Sequence, residues 1–179
     1  TEFDELLIEE YIDGREFTVL VAANPNGNKK CHVYAPVEYR FPQGTSFKTY
    51  ALKTSALHPD ANIPCTDPLL TERLSQATEA IFNGFNGVGY ARLDFRLNEK
   101  NELFFLEINF TSSVFYEGIY EGSADFILNH DKEGKKGFLL RMIEEGIERH
   151  RRKQKPYMLK GNASSGYGIY ARHDLNEGD

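Results

Sequence analysis

Two short segments carry four side chains of the kinds that bind metal ions and phosphates. Arg92 and Asp94 alternate with apolar residues in the first segment, and Glu107 and Asn109 do so in the second. Side chains two residues apart lie on the same face of a β-strand, so each segment groups its two polar side chains. We expect the segments to form a hairpin around the two-residue turn 100–101. Asp94 would then lie opposite Glu107, and Arg92 opposite Asn109.

Two carboxylates that face each other on a sheet need compensation. Directly opposed like charges repel, unless a cation or an arginine lies between them. The oxygen donors Asp94, Glu107 and Asn109 suit Mg²⁺, which binds through carboxylates, phosphate oxygens and water. The alternative is an exposed sheet face on which Arg92 forms a salt bridge with the acids, and spacing alone favours this alternative.

A family resemblance changes that preference. The segment RLDF at 92–95, followed by EIN at 107–109, resembles the paired metal-binding signature of ATP-grasp enzymes and is most similar to that of D-alanine-D-alanine ligases. The segment LIEEYIDGREFTV at 7–19 resembles the nucleotide hinge of the same family. The segment YALK at 50–53 resembles its phosphate-proximal Tyr-x-x-Lys stretch. The three segments follow the family's order, and the resemblance covers roughly residues 5–150.

For the nucleotide, the resemblance implies a role for five residues. Glu9 would accept a hydrogen bond from the adenine amino group, and the backbone at Tyr11 and Ile12 would pair with the edge of the ring. Glu16 would hold the ribose hydroxyls, and Lys53 would neutralise phosphate charge. Without the motif, Glu16 is equally compatible with a surface carboxylate on a strand, and a lysine such as Lys53 is nearly always an ordinary surface residue.

For the reaction, the resemblance implies an ATP-dependent carboxylate-amine ligase. Asp94, Glu107 and Asn109 would hold one or two Mg²⁺ ions, with Mn²⁺ as an alternative, and Arg92 would stabilise the acyl phosphate and the tetrahedral intermediate. The γ-phosphoryl group would pass to a small-molecule carboxylate, and an amine would then attack. Such catalysis rests on positioning and electrostatics.

The segment after Asn109 departs from the family. The family continues with Thr-x-Pro-Gly, whose backbone helps to bind the reacting carboxylate, whereas this chain has Phe110, Thr111, Ser112 and Ser113. The missing glycine puts D-alanine as the substrate in question. A degenerate, non-catalytic nucleotide-binding module is the alternative. The family's earlier portion, with its own lysine and mobile phosphate loop, would precede Thr1, so we expect this piece alone to be inactive.

The last residues carry a second resemblance. The segment KGNASSGYGIYA at 160–171 is similar to the opening of a SET methyltransferase domain, and a glycine-rich turn in a tail is the alternative. We therefore expect a ligase-type portion at 1–153, and a linker and the start of a SET domain at 154–179. The upstream region would be scaffold if the protein were a SET methyltransferase.

The elements that position these residues indicate an α+β domain, an ATP-grasp C-terminal subdomain with a mostly antiparallel sheet. Strands are predicted at 6–8, 17–23, 31–39 and 49–52, and a hairpin at 88–97 and 102–110. A helix begins at Pro68, capped by Asp67, and ends near Gly84. A second helix at 135–153 carries an apolar stripe of Phe138, Leu139, Met142, Ile143 and Ile147.

Composition excludes several other classes. The 179 residues carry a net charge of -6, so a nucleic-acid partner is not expected, and we assign the basic run at 149–155 to a solvated helix end. No apolar stretch is long enough for a membrane span. Cys31 and Cys65 have no metal-ligand spacing, so we expect reduced thiols and a cytoplasmic protein. The sequence gives no indication of oligomeric state.

Overall fold

The computed structural model describes residues 7–27, 30–47, 61–153, 157–162 and 166–171. The strands in these ranges are β1 (Arg15–Ala22), β2 (His32–Val33), β3 (Val37–Tyr39), β4 (Asn62–Pro64), β5 (Tyr90–Leu97), β6 (Leu103–Asn109), β7 (Tyr157–Asn162) and β8 (Gly166–Ala171). The helices in the same ranges are α1 (Pro68–Gly84), α2 (Ser123–His130) and α3 (Gly134–Lys153), with a 3-10 turn at Gly118–Tyr120.

A single antiparallel sheet organises the part of the chain that carries the motifs. Its strand order is β4-β3-β1-β5-β6, with β2 pairing beside β3 along the same edge of β1. The central strands β1 and β5 pair along their whole length, from Arg15 opposite Leu97 to Ala22 opposite Tyr90. This arrangement confirms the predicted α+β class with a mostly antiparallel sheet.

Helix α1 covers one face of the sheet. It begins as predicted, because the Asp67 carboxylate accepts hydrogen bonds from the backbone N–H groups of Leu69 and Leu70, and proline occupies the first turn. Leu70 and Leu74 pack against the odd-numbered side chains of β1 and β5, which are buried. Burial of this apolar surface is the main contribution to the stability of this face.

The opposite face of the sheet is divided into two parts. Near one end, Leu20 and Ala22 pack under α2 and α3, against Leu128 and Phe138. Towards the other end, the same face of β1 and β5 carries polar side chains that these helices do not cover. These are Glu16, Thr18, Asp94 and Arg96, which are nevertheless largely buried. We call these four side chains the polar floor of the sheet, and the polar floor lies next to a packed apolar core.

The first part of the chain differs from the prediction. Residues 7–13 form no strand, and the carbonyl oxygens of Ile12 and Gly14 instead accept hydrogen bonds from the Arg96 side chain. The return strand predicted at 31–39 is interrupted, because Pro36 has no N–H to donate to the ladder, and it forms the separate strands β2 and β3. The strand predicted at 49–52 lies outside the described residues.

The last part of the chain also differs. Of the stripe predicted on α3, Phe138 is buried, whereas Leu139, Ile143 and Ile147 are about half exposed, because α3 contacts the core through one narrow edge. Strand β7 begins at Tyr157 and pairs with β8 in a hairpin. That this hairpin opens a SET domain stays a prediction. No helix in the described ranges is both long and apolar enough to cross a membrane.

Candidate functional site

The polar floor of the sheet forms the base of a cleft of about 820 Å³. Residues from the hinge segment, β1, β5 and β6 line it together. Of the residues that the motifs nominate, the cleft contains Glu9, Tyr11, Ile12, Glu16, Arg92, Asp94, Glu107 and Asn109. Lys53, with the rest of the 50–53 segment, lies outside the described residues.

A β-bulge sets the register of the hairpin that carries the acids. The connection is not the predicted two-residue turn, because Leu97 pairs with Leu103 and residues 98–102 form the loop. That register alone would place Leu106 opposite Asp94. The bulge between Asp94 and Phe95 accommodates one extra residue in β6, so that Asp94 pairs with Glu107 as predicted.

The bulge also corrects the prediction of which side chains of β6 face the core. Before the bulge, Leu103 and Phe105 lie on the apolar side, and the Phe105 ring contacts that of Phe95. Phe104 lies opposite Arg96 and lines the cleft. Simple alternation from Glu107 and Asn109 predicts that Phe104, Leu106 and Ile108 lie on the apolar side. For Phe104 this prediction is wrong, because a single inserted residue reverses the alternation.

The two facing carboxylates share one arginine nitrogen. Arg92 Nη2 donates to Asp94 Oδ2 at 2.9 Å and lies 3.3 Å from Glu107 Oε1. These two oxygens are therefore no further apart than the two distances combined, and both acids line the same region of the cleft. The other oxygen of Asp94 accepts a hydrogen bond from the Thr18 hydroxyl at 2.8 Å.

The acids differ in solvent access. The Asp94 side chain is 9% exposed, whereas the Glu107 side chain is 58% exposed and faces the open part of the cleft. Thr18 and Arg92 hold Asp94 in one orientation, whereas among the described residues the side chain of Glu107 makes a polar contact with Arg92 alone. The site therefore combines a fixed carboxylate with an adaptable one, and the guanidinium offsets their mutual repulsion.

This donor set fits a divalent ion that is also held by phosphates and water. Within the described ranges, no three histidine, cysteine, aspartate or glutamate side chains group closely enough to hold a metal ion by themselves. Mg²⁺ is usually bound by one or two carboxylates plus substrate phosphates, so Asp94 and Glu107 suffice for such a site. Arg92 Nη2 occupies the space between them, where it can also contact a phosphate.

Asn109 lies opposite Arg92 in the ladder, as predicted, but its side-chain oxygen is engaged locally. Oδ1 accepts from the Thr111 N–H at 2.9 Å and from the Thr111 hydroxyl at 3.3 Å. An amide oxygen has two lone pairs, so these contacts use both. Asn109 would become a metal ligand only if the longer contact gave way.

The loop that follows Asn109 is tied to the apolar core. The Tyr90 hydroxyl donates to the Ser112 carbonyl oxygen at 2.7 Å, and Ser112 is 2% exposed. The Ser112 hydroxyl is buried and has no hydrogen-bond partner within the described residues. The segment that replaces the family's Thr-x-Pro-Gly thus turns one serine inward and is not an open loop.

The other end of the cleft gathers the hinge residues. Glu16 is buried and accepts from Arg96 Nη2 at 3.0 Å, and burial together with the nearby Glu16 charge raises the pKa of Tyr39. The Tyr11 hydroxyl donates to the Ser46 carbonyl oxygen at 3.1 Å. Glu9 is exposed at the rim. The acid that the motif assigns to the adenine is therefore exposed, and the acid that it assigns to the ribose is buried.

Sequence reasoning missed two residues of this site. Thr18 lies inside the quoted hinge segment and opposite Asp94 in the ladder, but nothing in its type marks it as a ligand partner. Arg96 shares the polar face with Arg92 and Asp94, which alternation does reveal. Its partners lie up to 85 residues away in the chain, so their identity could not be predicted from the strand itself.

Comparison with known proteins agrees with these motifs. Residues 2–119, well over half of the chain, match the family described as D-ala D-ala ligase C-terminus. The D-alanine--D-alanine ligase of Legionella pneumophila (strain Corby) is 33% identical over 130 residues, covering 68% of this chain and 35% of that protein. The ligase of Janthinobacterium sp. (strain Marseille) is 32% identical over 110 residues, covering 59% and 32%. The chain thus spans about a third of the length of these relatives.

Solved structures show the same fold at lower identity. The D-alanine-D-alanine ligase from Coxiella burnetii superimposes with a TM-score of 0.57 at 21% identity, covering 82% of this chain and 35% of that one. The Bacillus anthracis enzyme, solved in complex with ATP, gives 0.55 at 16% identity, covering 82% and 42%. The chain belongs to the D-Ala-D-Ala ligase C-terminal family and has the ATP-grasp fold.

Proposed function

We propose that this chain supplies the nucleotide- and metal-binding half-site of an ATP-dependent carboxylate-amine ligase. One observation carries the proposal: a single cleft gathers the hinge residues and the paired acids, which are distant in sequence. A salt-bridged sheet face would also bring Arg92 between two carboxylates, but it would not require the hinge segment to line the same cleft.

The strand β5 suits a nucleotide that lies along the sheet. Arg92 and Asp94 lie towards one end of the polar floor, and Arg96 lies towards the other, beside Glu16 and the hinge. Four residues of strand span about 13 Å, which is the scale of an extended nucleoside triphosphate. In this placement Glu9, Tyr11, Ile12 and Glu16 hold the adenosine, while the phosphates reach Asp94. The Ile12 carbonyl oxygen accepts a hydrogen bond from Arg96, so the other backbone groups of this segment would pair with the base.

The residues at the phosphate end act by electrostatics. Asp94 and Glu107, with Asn109 where the Thr111 hydroxyl contact gives way, hold a divalent cation, and Mg²⁺ is the ion this oxygen donor set suits best, with Mn²⁺ as an alternative. When bound, the cation neutralises phosphate charge and aligns the γ-phosphoryl group with its acceptor. Arg92 stabilises negative charge on the transferring group. Lys53 is proposed as a further phosphate contact.

The named relatives act on D-alanine, and a small amino acid is the acceptor class proposed here. The loop after Asn109 argues for a different carboxylate, because Ser112 and its neighbours replace the glycine that lets a backbone approach a ligand closely. We place the ligase-type portion at 1–153. Residues 154–179 are proposed as a linker and the start of a SET-like domain.

The test is ADP release by the full-length protein with ATP, Mg²⁺ and a panel of small amino acids. The proposal predicts substrate-dependent release that falls by at least about a hundred-fold, or ~3 kcal/mol of lost transition-state stabilisation, in Asp94→Asn. Glu99→Gln, an exposed carboxylate in the loop of the same hairpin, is the matched control and should retain the wild-type rate.

A second candidate is a non-catalytic nucleotide-binding module. It is favoured by Asn109, which lines the cleft but whose side-chain oxygen already accepts two hydrogen bonds from Thr111. ATP binding with no ADP release across the whole panel would support this candidate over the ligase. Absence of ATP binding would contradict both.

A further inference from the structure

Arg96 on β5 contacts the hinge, β1 and the 41–47 segment at the nucleotide end of the cleft. Its Nη2 donates to the Glu16 carboxylate at 3.0 Å and to the Ser46 carbonyl oxygen at 2.7 Å. Its Nη1 donates to the carbonyl oxygens of Ile12 at 3.2 Å and Gly14 at 3.4 Å. The side chain is 4% exposed. A cation so deeply buried needs this number of acceptors, because burying an unpaired charge is costly.

Aromatic rings complete the environment of this guanidinium. Its carbon lies 5.1 Å from the centre of the Phe41 ring and 5.6 Å from that of Tyr11. Cation–π attraction at such distances adds to the hydrogen bonds and restricts the plane of the guanidinium. The hinge, β1, the 41–47 segment and β5 therefore all converge on one side chain.

Resting on the function proposed above, we infer that Arg96 is a positioning residue for the nucleotide. It fixes the carboxylate of Glu16, which the proposed function assigns to the ribose hydroxyls, and it orients the Tyr11–Gly14 backbone beside the base. A carboxylate that is held in one orientation accepts a hydrogen bond from the ribose 2′-hydroxyl, and a 2′-deoxyribose has no hydroxyl to donate it. The residue therefore sets the preference for ribonucleoside over 2′-deoxyribonucleoside triphosphates.

Positioning the nucleotide in this way requires the two terminal nitrogens of the guanidinium. Nη1 donates to the hinge carbonyls while Nη2 donates to Glu16 and to the Ser46 carbonyl oxygen, so the two nitrogens bind different partners. A lysine presents a single nitrogen on a flexible stem and cannot occupy both positions. Arg96→Lys keeps the buried charge that compensates Glu16 and removes only the rigid geometry.

The test compares binding of ATP and 2′-deoxyATP, each with Mg²⁺, to the full-length protein by titration calorimetry. The wild type is expected to bind ATP at least about ten-fold tighter, as for one hydrogen bond to a charged group. Arg96→Lys should bring the ratio of the two dissociation constants close to one. A fold defect alone lowers the number of active sites for both nucleotides and leaves that ratio unchanged.

Two controls accompany this measurement. Arg15→Lys changes an arginine that pairs with Glu38 and stacks on Phe17 on the other face of β1, and it should keep the wild-type ratio. Glu16→Gln should bring the ratio close to one, and adding Arg96→Lys to it should change the ratio no further. If Arg96→Lys does not fold, Arg96→Gln replaces it, since an amide keeps one donor for Glu16.

The outcomes separate the two proposals. No ATP binding by the wild type contradicts the proposed function itself. ATP binding by the wild type with an unchanged ratio in Arg96→Lys overturns the role of Arg96 and leaves the nucleotide site standing. A wild-type ratio near one overturns it as well, because no preference would then exist for Arg96 to set.

Discussion

The hydrogen bond from Thr18 to Asp94 offers a measurable test of how the metal-facing acid is held. Thr18 is 1% exposed, and its hydroxyl lies 2.8 Å from Asp94 Oδ1. Thr18→Val keeps the shape and the β-strand preference of the side chain and removes only the donor. A hydrogen bond to a charged group contributes about 1.5–3 kcal/mol. Because Arg92 still pairs with the other oxygen of Asp94, we expect a loss of about 2 kcal/mol, in the middle of that range.

The assay is urea unfolding monitored by circular dichroism, together with a thermal unfolding scan of the same variants. A loss of about 2 kcal/mol corresponds to a fall in Tm of about 4–8 °C for a chain of this size. Thr78→Val is the matched control, because the Thr78 hydroxyl is buried and has no hydrogen-bond partner among the described residues. Its replacement should leave the free energy of unfolding unchanged or raise it slightly. Equal losses in the two variants would refute the reasoning that the Thr18 hydroxyl stabilises Asp94.

Three further predictions concern stability and reactivity. Phe138 is 1% exposed among aromatic rings, so Phe138→Ala should lower the free energy of unfolding by about 3–5 kcal/mol, whereas Leu139→Ala, at 47% exposure, should lower it by no more than about 1.5 kcal/mol. Urea unfolding of both variants measures the difference. Equal losses would contradict the placement of Phe138 in the core. Burial lowers the pKa of His32 below its ordinary 6.5, so its contribution to stability is complete above that pH and is lost as the pH falls below it. Unfolding at about pH 5 and about pH 7.5 should therefore show a smaller loss on acidification in His32→Gln than in the wild type, and identical losses would be inconsistent with this shift. Burial raises the pKa of Cys31 to about 11, so little of the native thiol is ionised at about pH 8. In a Cys65→Ala variant, a thiol reagent at that pH should modify native Cys31 about a hundred-fold more slowly than it modifies Cys31 in the urea-unfolded chain. Similar rates would contradict the shift.

The site hairpin could be predicted because its signal is local. Alternation of polar and apolar residues requires only a strand period of two, and it grouped Arg92 with Asp94 and Glu107 with Asn109. The assumed two-residue turn then placed Asp94 opposite Glu107, which is the pairing observed. The bulge was not predictable, since one inserted residue leaves no mark in composition. The predicted turn was two residues long and the observed loop is longer, and the bulge offsets this difference.

The remaining differences come from contacts between distant parts of the chain. The apolar residues at 6–8 predict a strand, but residues 7–13 form none, and the carbonyl oxygens of Ile12 and Gly14 accept hydrogen bonds from the distant Arg96 side chain. The apolar stripe of α3 predicts burial of all its members, but Phe138 packs against the Tyr34 and Tyr90 rings, whereas Ile143 stays about half exposed. Neither outcome follows from local propensity, because tertiary contacts decide which of several compatible structures forms.

The dependence of nucleotide binding on Mg²⁺ and on Asp94 tests the central claim most directly. Titration calorimetry of the full-length protein with ATP should show binding that weakens at least about ten-fold when Mg²⁺ is removed, and the same loss in Asp94→Asn with Mg²⁺ present. Removing Mg²⁺ from Asp94→Asn should then weaken binding little further, because the ion and the carboxylate act together. ATP affinity that is indifferent to both Mg²⁺ and Asp94→Asn would contradict the assignment of this hairpin as the metal-nucleotide site.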